Sequence, residues 1–147
     1  MSAQITLSPL EGEAELFDPA VTGQFAEAMA QIASEIQTPP WCGYVARRDG
    51  LPVGFGGFKG EPDADLAVEI GYLTYPMHEG MGVAKAIAAA MIAIAQDNGA
   101  AAIVAHTLCE ENPSTGVLRA NGFGRDGEGH DDDVGVVWRW LRHLTKG

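Results

Sequence analysis

Residues 69 to 87, EIGYLTYPMHEGMGVAKAI, bring a carboxylate, two phenols and a glycine-rich turn into one passage from strand to helix. Small residues at Gly80, Gly82 and Ala84 open directly into an apolar helical run. Unpaired N–H groups at a helix start converge on one spot, and the helix dipole adds ~0.3 to 1 kcal/mol in favour of a negative charge there. Glycines let a diphosphate come close to the backbone, so the segment outlines a phosphate site, although a plain turn before a helix has the same pattern. Other phosphate motifs fit worse. A dinucleotide fingerprint needs Gly or Ala where Lys85 stands, and no GxxxxGK[ST] string occurs.

Nucleophilic and metal chemistry are less well supported. Cys42 has no evident base near it in sequence, and His106 and Cys109 stand at an odd spacing on an expected strand, which sends them to opposite faces. His130 with Asp131, Asp132 and Asp133 has the donor types of a cation site, but an acidic hairpin turn facing water accounts for it without an ion, so no metal is expected.

The elements around these residues are legible from periodicity and punctuation. Residues 3 to 8 alternate as a short strand, and residues 13 to 36 place Phe25, Met29, Ile32 and Ile36 at helical spacing, with Pro19 splitting the region into two helices. Residues 41 to 48 and 53 to 58 flank Asp49-Gly50 as a hairpin, and 66 to 73 continue the meander. A helix runs from the glycine turn to about Asp97, closed by Asn98-Gly99. A strand follows at 101 to 108, then a short helix between Pro113 and Gly122. Strands near Phe123 and at 134 to 141 enclose the acidic turn. The order predicts a mixed α/β fold, an α+β arrangement of about six to seven strands and about four helices, in one domain spanning 1–147.

A chain of 147 residues with two cysteines and a formal net charge of -11 is sized for one core, has no disulfide framework, and repels nucleic-acid phosphates and anionic membranes. The longest apolar run, residues 86 to 95, falls short of the ~20 residues of a membrane span, and the first residues lack a secretory pattern. A cytoplasmic location is the expectation. The charge also suits cationic partners, amines among them.

Two strings carry a family resemblance. Residues 79 to 84, EGMGVA, resemble motif A of the GNAT acetyltransferases, Q/R-x-x-G-x-G/A, with Glu79 in place of the usual Gln or Arg. Residues 111 to 123, ENPSTGVLRANGF, resemble the family's N-x-x-S-x-x-V-L-x-x-x-G-F signature, with Thr115 at the Ser position. The likeness covers roughly residues 41 to 141 and is nearest the ribosomal-protein N-terminal acetyltransferase branch. It implies the GNAT fold, acetyl-CoA as acyl donor, and a primary amine acceptor on a small molecule or a protein N-terminus.

The same resemblance implies the site. Backbone groups of the Leu73-Thr74-Tyr75 stretch, Leu73 and Tyr75 above all, pair with the pantetheine arm between splayed strands. The turn from Glu79 through Gly80, Met81, Gly82, Val83 and Ala84 to Lys85 holds the diphosphate. Asn112 lies along the cofactor, and Thr115 contacts phosphate or caps the short helix. Glu69 faces away from core neighbours Val68 and Ile70 and serves as general base or as a structural carboxylate. Leu118 stands where several members carry a tyrosine acid, leaving water, Tyr72 or Tyr75 to protonate the thiolate. Trp41 and Tyr44 line an acceptor pocket or pack in the core, and His106 supports the substrate site or the core. Direct transfer is expected, with a non-catalytic acyl-CoA-binding module as the rival. A homodimer is compatible with the sequence.

Overall fold

The structure is a computed structural model that describes residues 5–10, 16, 18–33 (31–33 by backbone alone), 38–80 and 82–144. One seven-stranded sheet organises it, in the order β1-β2-β3-β4-β5-β7-β6. Strands β1 (Thr6–Pro9), β2 (Gly43–Arg48), β3 (Leu51–Phe58) and β4 (Ala67–Thr74) form an antiparallel half. The turn between β2 and β3 holds Asp49 at φ 53° and Gly50 at φ 80°, the two left-handed residues a tight hairpin needs. Strand β5 (Ala102–Thr107) lies parallel to β4, and the crossover between them is helix α3 (Val83–Asp97). β7 (Gly135–His143) and β6 (Gly124–Asp131) complete the sheet, β6 starting at the expected place and running farther. Helix α4 (Pro113–Ala120) links β5 to β6.

The larger core cluster lies where α3 packs on the sheet through Ile87 and Met91. A Cβ on Gly54 would stand 2.9 Å from Ile87 Cδ1, and one on Gly56 would stand 2.6 Å from Met91 Sδ, so these glycines let the helix settle against β3. A smaller cluster of Leu10, Leu16, Met29, Val45, Phe55 and Tyr75 is joined by half-buried Phe25 and Leu73.

The first helical region departs from expectation. Asp18 caps α1 (Pro19–Thr22), and Pro19 starts that helix, its missing N–H costing nothing at a first position; residues 11–15 and 17 lie outside the described residues. Gly23, at φ 59°, ends α1; a 3-10 turn, Gly23–Phe25, then leads into α2 (Ala26–Ala33). Met29 is fully buried as its spacing implied. The side chains of Ile32 and Ile36 lie outside the described residues.

The β4–β5 ladder is short. Paired residues run from Ala67↔Ala102 to Glu69↔Val104, while β4 continues to Thr74 and β5 to Thr107. The two strands therefore part just beyond Glu69.

Candidate active site

The N-terminus of α3 opens into a cavity of about 560 Å³ lined in part by Thr74, Gly80, Gly82, Val83, Lys85 and Ser114. Gly80 (φ 78°) and Gly82 (φ 76°) hold left-handed backbone, where an L side chain costs roughly 1–2 kcal/mol. A Cβ on either would meet nothing within 4 Å, so the space beside them is open. Gly82 caps α3 with no side-chain hydrogen bond, and the helix ladder begins with Ala86 N–H donating to Gly82 O at 3.1 Å. The preceding first-turn N–H groups thus lack helical acceptors, the arrangement by which a helix start binds anions. Exposed Glu79 stands at the rim of this cavity, and Met81 lies outside the described residues.

Register decides which β4 groups face the gap beside β5. Tyr75 N–H donates to Val53 O at 2.9 Å and Lys59 N–H to Glu69 O at 2.8 Å, so residues 69, 71, 73 and 75 turn their main-chain groups toward β3. Tyr72 and Thr74 turn theirs into the gap. The expectation that Leu73 and Tyr75 offer main-chain groups there is corrected by one residue, to Tyr72 and Thr74. Tyr75 is fully buried, its hydroxyl against Met29 Sδ at 3.1 Å, which removes it as a proton donor. Leu73 still lines the cavity with its side chain.

Tyr72 lies 3.2 Å, hydroxyl to Oγ, from Ser114 at the start of α4. Burial pushes its phenol above the ordinary value, against the opposing effect of the Ser114 hydrogen bond, so it stays protonated at neutral pH.

A second cavity, also about 560 Å³, lies on the other side of Tyr72 and Leu73, which line both. Trp41, Phe55, Lys59 and Glu61 are among its walls. Trp41 sits edge-on to Phe58 at 5.1 Å. Tyr44 does not reach this cavity. It is buried, donates to Pro40 O at 2.7 Å, and burial pushes its phenol up to about 12, so its role is in the core. Beside the cavity, Glu69 Oε2 lies 3.1 Å from Lys59 Nζ and 3.2 Å from His106 Nδ1. Lys59 and Phe55 escaped sequence reading because only cross-strand register brings them here, and Ser114 because only the seating of α4 brings it to Tyr72.

A family model described as an acetyltransferase (GNAT) domain matches residues 12–124. The chain belongs to the GNAT acetyltransferase family. Membership makes it an acyltransferase. Solved structures that resemble it include a chimera of the Vibrio cholerae spermidine N-acetyltransferase with hSSAT, at 14% identity over 96% of this chain and 96% of that one, TM-score 0.78. Another is the microcin C7 self-immunity acetyltransferase in complex with acetyl-CoA and AMP, at 15% identity, 96% and 93% coverage and TM-score 0.77. A ribosomal-protein alpha-N-acetyltransferase in complex with coenzyme A matches 71% of this chain and 63% of its own, at 18% identity and TM-score 0.65. At such identities the likeness is one of fold. Curated protein sequences give no match.

Several GNAT signature positions are structural in this chain. Thr115 is buried, and with Asn112 it forms a capping box: Asn112 Oδ1 accepts from Thr115 N at 3.0 Å, and Thr115 Oγ1 accepts from Asn112 N at 3.1 Å. Of the two roles open to Thr115, phosphate contact or helix cap, the structure shows the cap, and the Asn112 carbonyl oxygen serves the same helix end. Leu118, at the place where the resemblance puts a tyrosine in several members, is fully buried. Cys42 borders the second cavity, but burial pushes its thiol up, opposite to what a nucleophile requires. Asp131 spends its carboxylate on the turn, accepting from Asp133 N at 2.8 Å and Val134 N at 3.2 Å. Among the described residues no cluster of three His, Cys, Asp or Glu is placed to hold a metal ion, and no helix is long and apolar enough to cross a membrane.

Proposed function

We propose that this GNAT protein moves an acetyl group from acetyl-CoA directly to a primary amine, carried by a small molecule or a protein N-terminus. The observation that carries the reading is the junction at Tyr72 and Leu73. One cavity contains an uncapped helix N-terminus suited to a diphosphate, the other is walled by aromatic and charged side chains, and the two share these residues. A donor and an acceptor entering from opposite sides meet there.

The residues present fit acetyl-CoA. First-turn amides of α3 with Gly80 and Gly82 would hold its diphosphate, and main-chain groups of Tyr72 and Thr74 would pair with its pantetheine arm along the parted edge of β4. Acetyl-CoA supplies an activated thioester. Glu69, oriented by Lys59 and His106, takes the proton from the amine as its nitrogen bonds to the acetyl carbon and the carbon–sulfur bond breaks. Tyr72 gives a proton to the departing sulfur. Glu79 is exposed and lines this cavity, so its carboxylate must turn outward when a diphosphate enters, its backbone remaining part of the turn.

Gly82→Trp tests the donor site. The indole fills open space beside the helix start, and calorimetric acetyl-CoA binding is expected to disappear; retained affinity would overturn the assignment. Tight acetyl-CoA binding with no thiol release across a broad amine panel would instead establish the non-catalytic module.

A further inference from the structure

The second cavity has an unusual floor. Gly43 pairs with Gly57, and Gly57 pairs with Gly71, so three glycines stand side by side across β2, β3 and β4, and all three line the cavity. Glycine inside a strand costs roughly 0.5–1 kcal/mol relative to alanine, and three in one row concentrate that cost at one place. Helix packing explains Gly54 and Gly56 on the opposite face, but not this row. A Cβ on Gly71 would approach nothing nearer than Lys59 Cε at 3.4 Å. A Cβ on Gly57 would meet the Phe55 ring at 3.0 Å, so an aromatic ring already lies over part of the strip. Bare strand glycine marks a place where another group comes close to the backbone.

Resting on the transferase reading above, we propose that the acceptor is a primary amine carried on a flat apolar body, such as an aromatic ring, which lies on the glycine row. The row spans two strand spacings, about 10 Å, and the Phe55 ring covers its middle at Gly57, so an incoming ring lies at the Gly71 end beside Phe55. Its β4 end is Gly71, between Glu69 and Leu73, so a tail leaving the ring there brings the amine to the proton acceptor and the junction of the cavities. Trp41 and Phe55 supply apolar walls, and Glu61 supplies a carboxylate for the approaching ammonium.

The same floor disfavours other amines. Its strands spend their main-chain groups on the β2–β3 and β3–β4 ladders, and the parted edge of β4 goes to the pantetheine arm, so an extended peptide acceptor finds no strand edge to pair with. Glu69 is already engaged by Lys59 and His106, which leaves Glu61 as the lining carboxylate, while the Lys59 ammonium repels a polycation.

The test is free-thiol release by the full chain with acetyl-CoA and, separately, phenethylamine, spermidine or an unblocked tripeptide. Phenethylamine is expected to give a kcat/KM at least tenfold above the other two. Gly71→Val, which raises a side chain from the floor, is expected to raise the phenethylamine KM at least tenfold with calorimetric acetyl-CoA affinity unchanged. Trp41→Ala, altered at the wall and away from the sheet ladders, should act in the same direction and covers the case in which the valine variant does not fold. Preference for spermidine or the tripeptide would sink this inference and leave the transferase reading standing. Acetyl-CoA binding with no thiol release for any amine would remove the transferase reading, and this one with it.

Discussion

At the scale of single residues, the proposed chemistry centres on one carboxylate oxygen. Glu69 Oε2 receives both the Lys59 ammonium, just past the end of β3, and the His106 ring nitrogen of β5, at the point where β4 and β5 part. General bases contribute roughly 10²–10⁴ in rate, and Glu69→Gln keeps the shape while removing the basic oxygen. Turnover is therefore expected to fall by about 100-fold or more with acetyl-CoA affinity unchanged; stopped-assay kcat beside a calorimetric Kd checks it, and unchanged turnover would assign the carboxylate a structural part alone. Alternation along β4, together with the family resemblance, marked Glu69 from sequence as a general base or a structural carboxylate. His106 was legible as a residue of the site but not as a partner of Glu69, because the two are 37 positions apart and only the parallel register of β4 and β5 brings them together. Tyr72 and Tyr75 show the same limit. Composition makes them equivalent phenols, and pleat direction alone sends one to the cavity junction and the other into the core.

At the scale of elements, α4 carries the wall of the donor cavity, and its first turn is held by side chains the family signature would have given to the cofactor. Losing an N-cap costs about 1 kcal/mol, so Asn112→Ala is expected to lower the melting temperature by about 2–4 °C in a chain of this size, followed by circular dichroism. Just ahead of the cap, Glu111 bonds Arg119, with Oε1 2.7 Å from Nη2, and accepts from Thr115 Oγ1 at 2.9 Å. Those hydrogen bonds, Arg119's above all, hold its carboxyl at about 2, below the ordinary range. A depressed folded-state value means stability present above the unfolded carboxyl's titration and lost as pH falls toward about 2. Glu111→Gln is thus expected to lower the urea midpoint slightly at pH 7, the exposed pair being screened, with the difference gone near pH 2. Element order was readable because Asp49-Gly50, Asn98-Gly99, Pro113 and Gly122 punctuate it. The positive-φ break at Gly23 was not, since nothing local ranks it above Pro19.

At the scale of the molecule, the formal net charge of -11 acts oppositely on the two substrates of the proposed reaction. Long-range repulsion slows the approach of a polyanionic donor and attraction speeds a cationic amine, and both effects shrink as the Debye length falls from about 30 Å at 0.01 M salt to about 8 Å at 0.15 M. The favourable field of the α3 N-terminus reaches no farther than its first turn, so it fixes a diphosphate already in place without cancelling the global repulsion. Between those salt concentrations the apparent KM for acetyl-CoA is expected to fall, while that for an ammonium-bearing acceptor rises. Steady-state kinetics at fixed pH with potassium chloride as the variable measure both. Were the two KM values to rise together, local contacts at the glycine turn and Lys85 would dominate donor capture, and the surface charge would have no part in choosing partners.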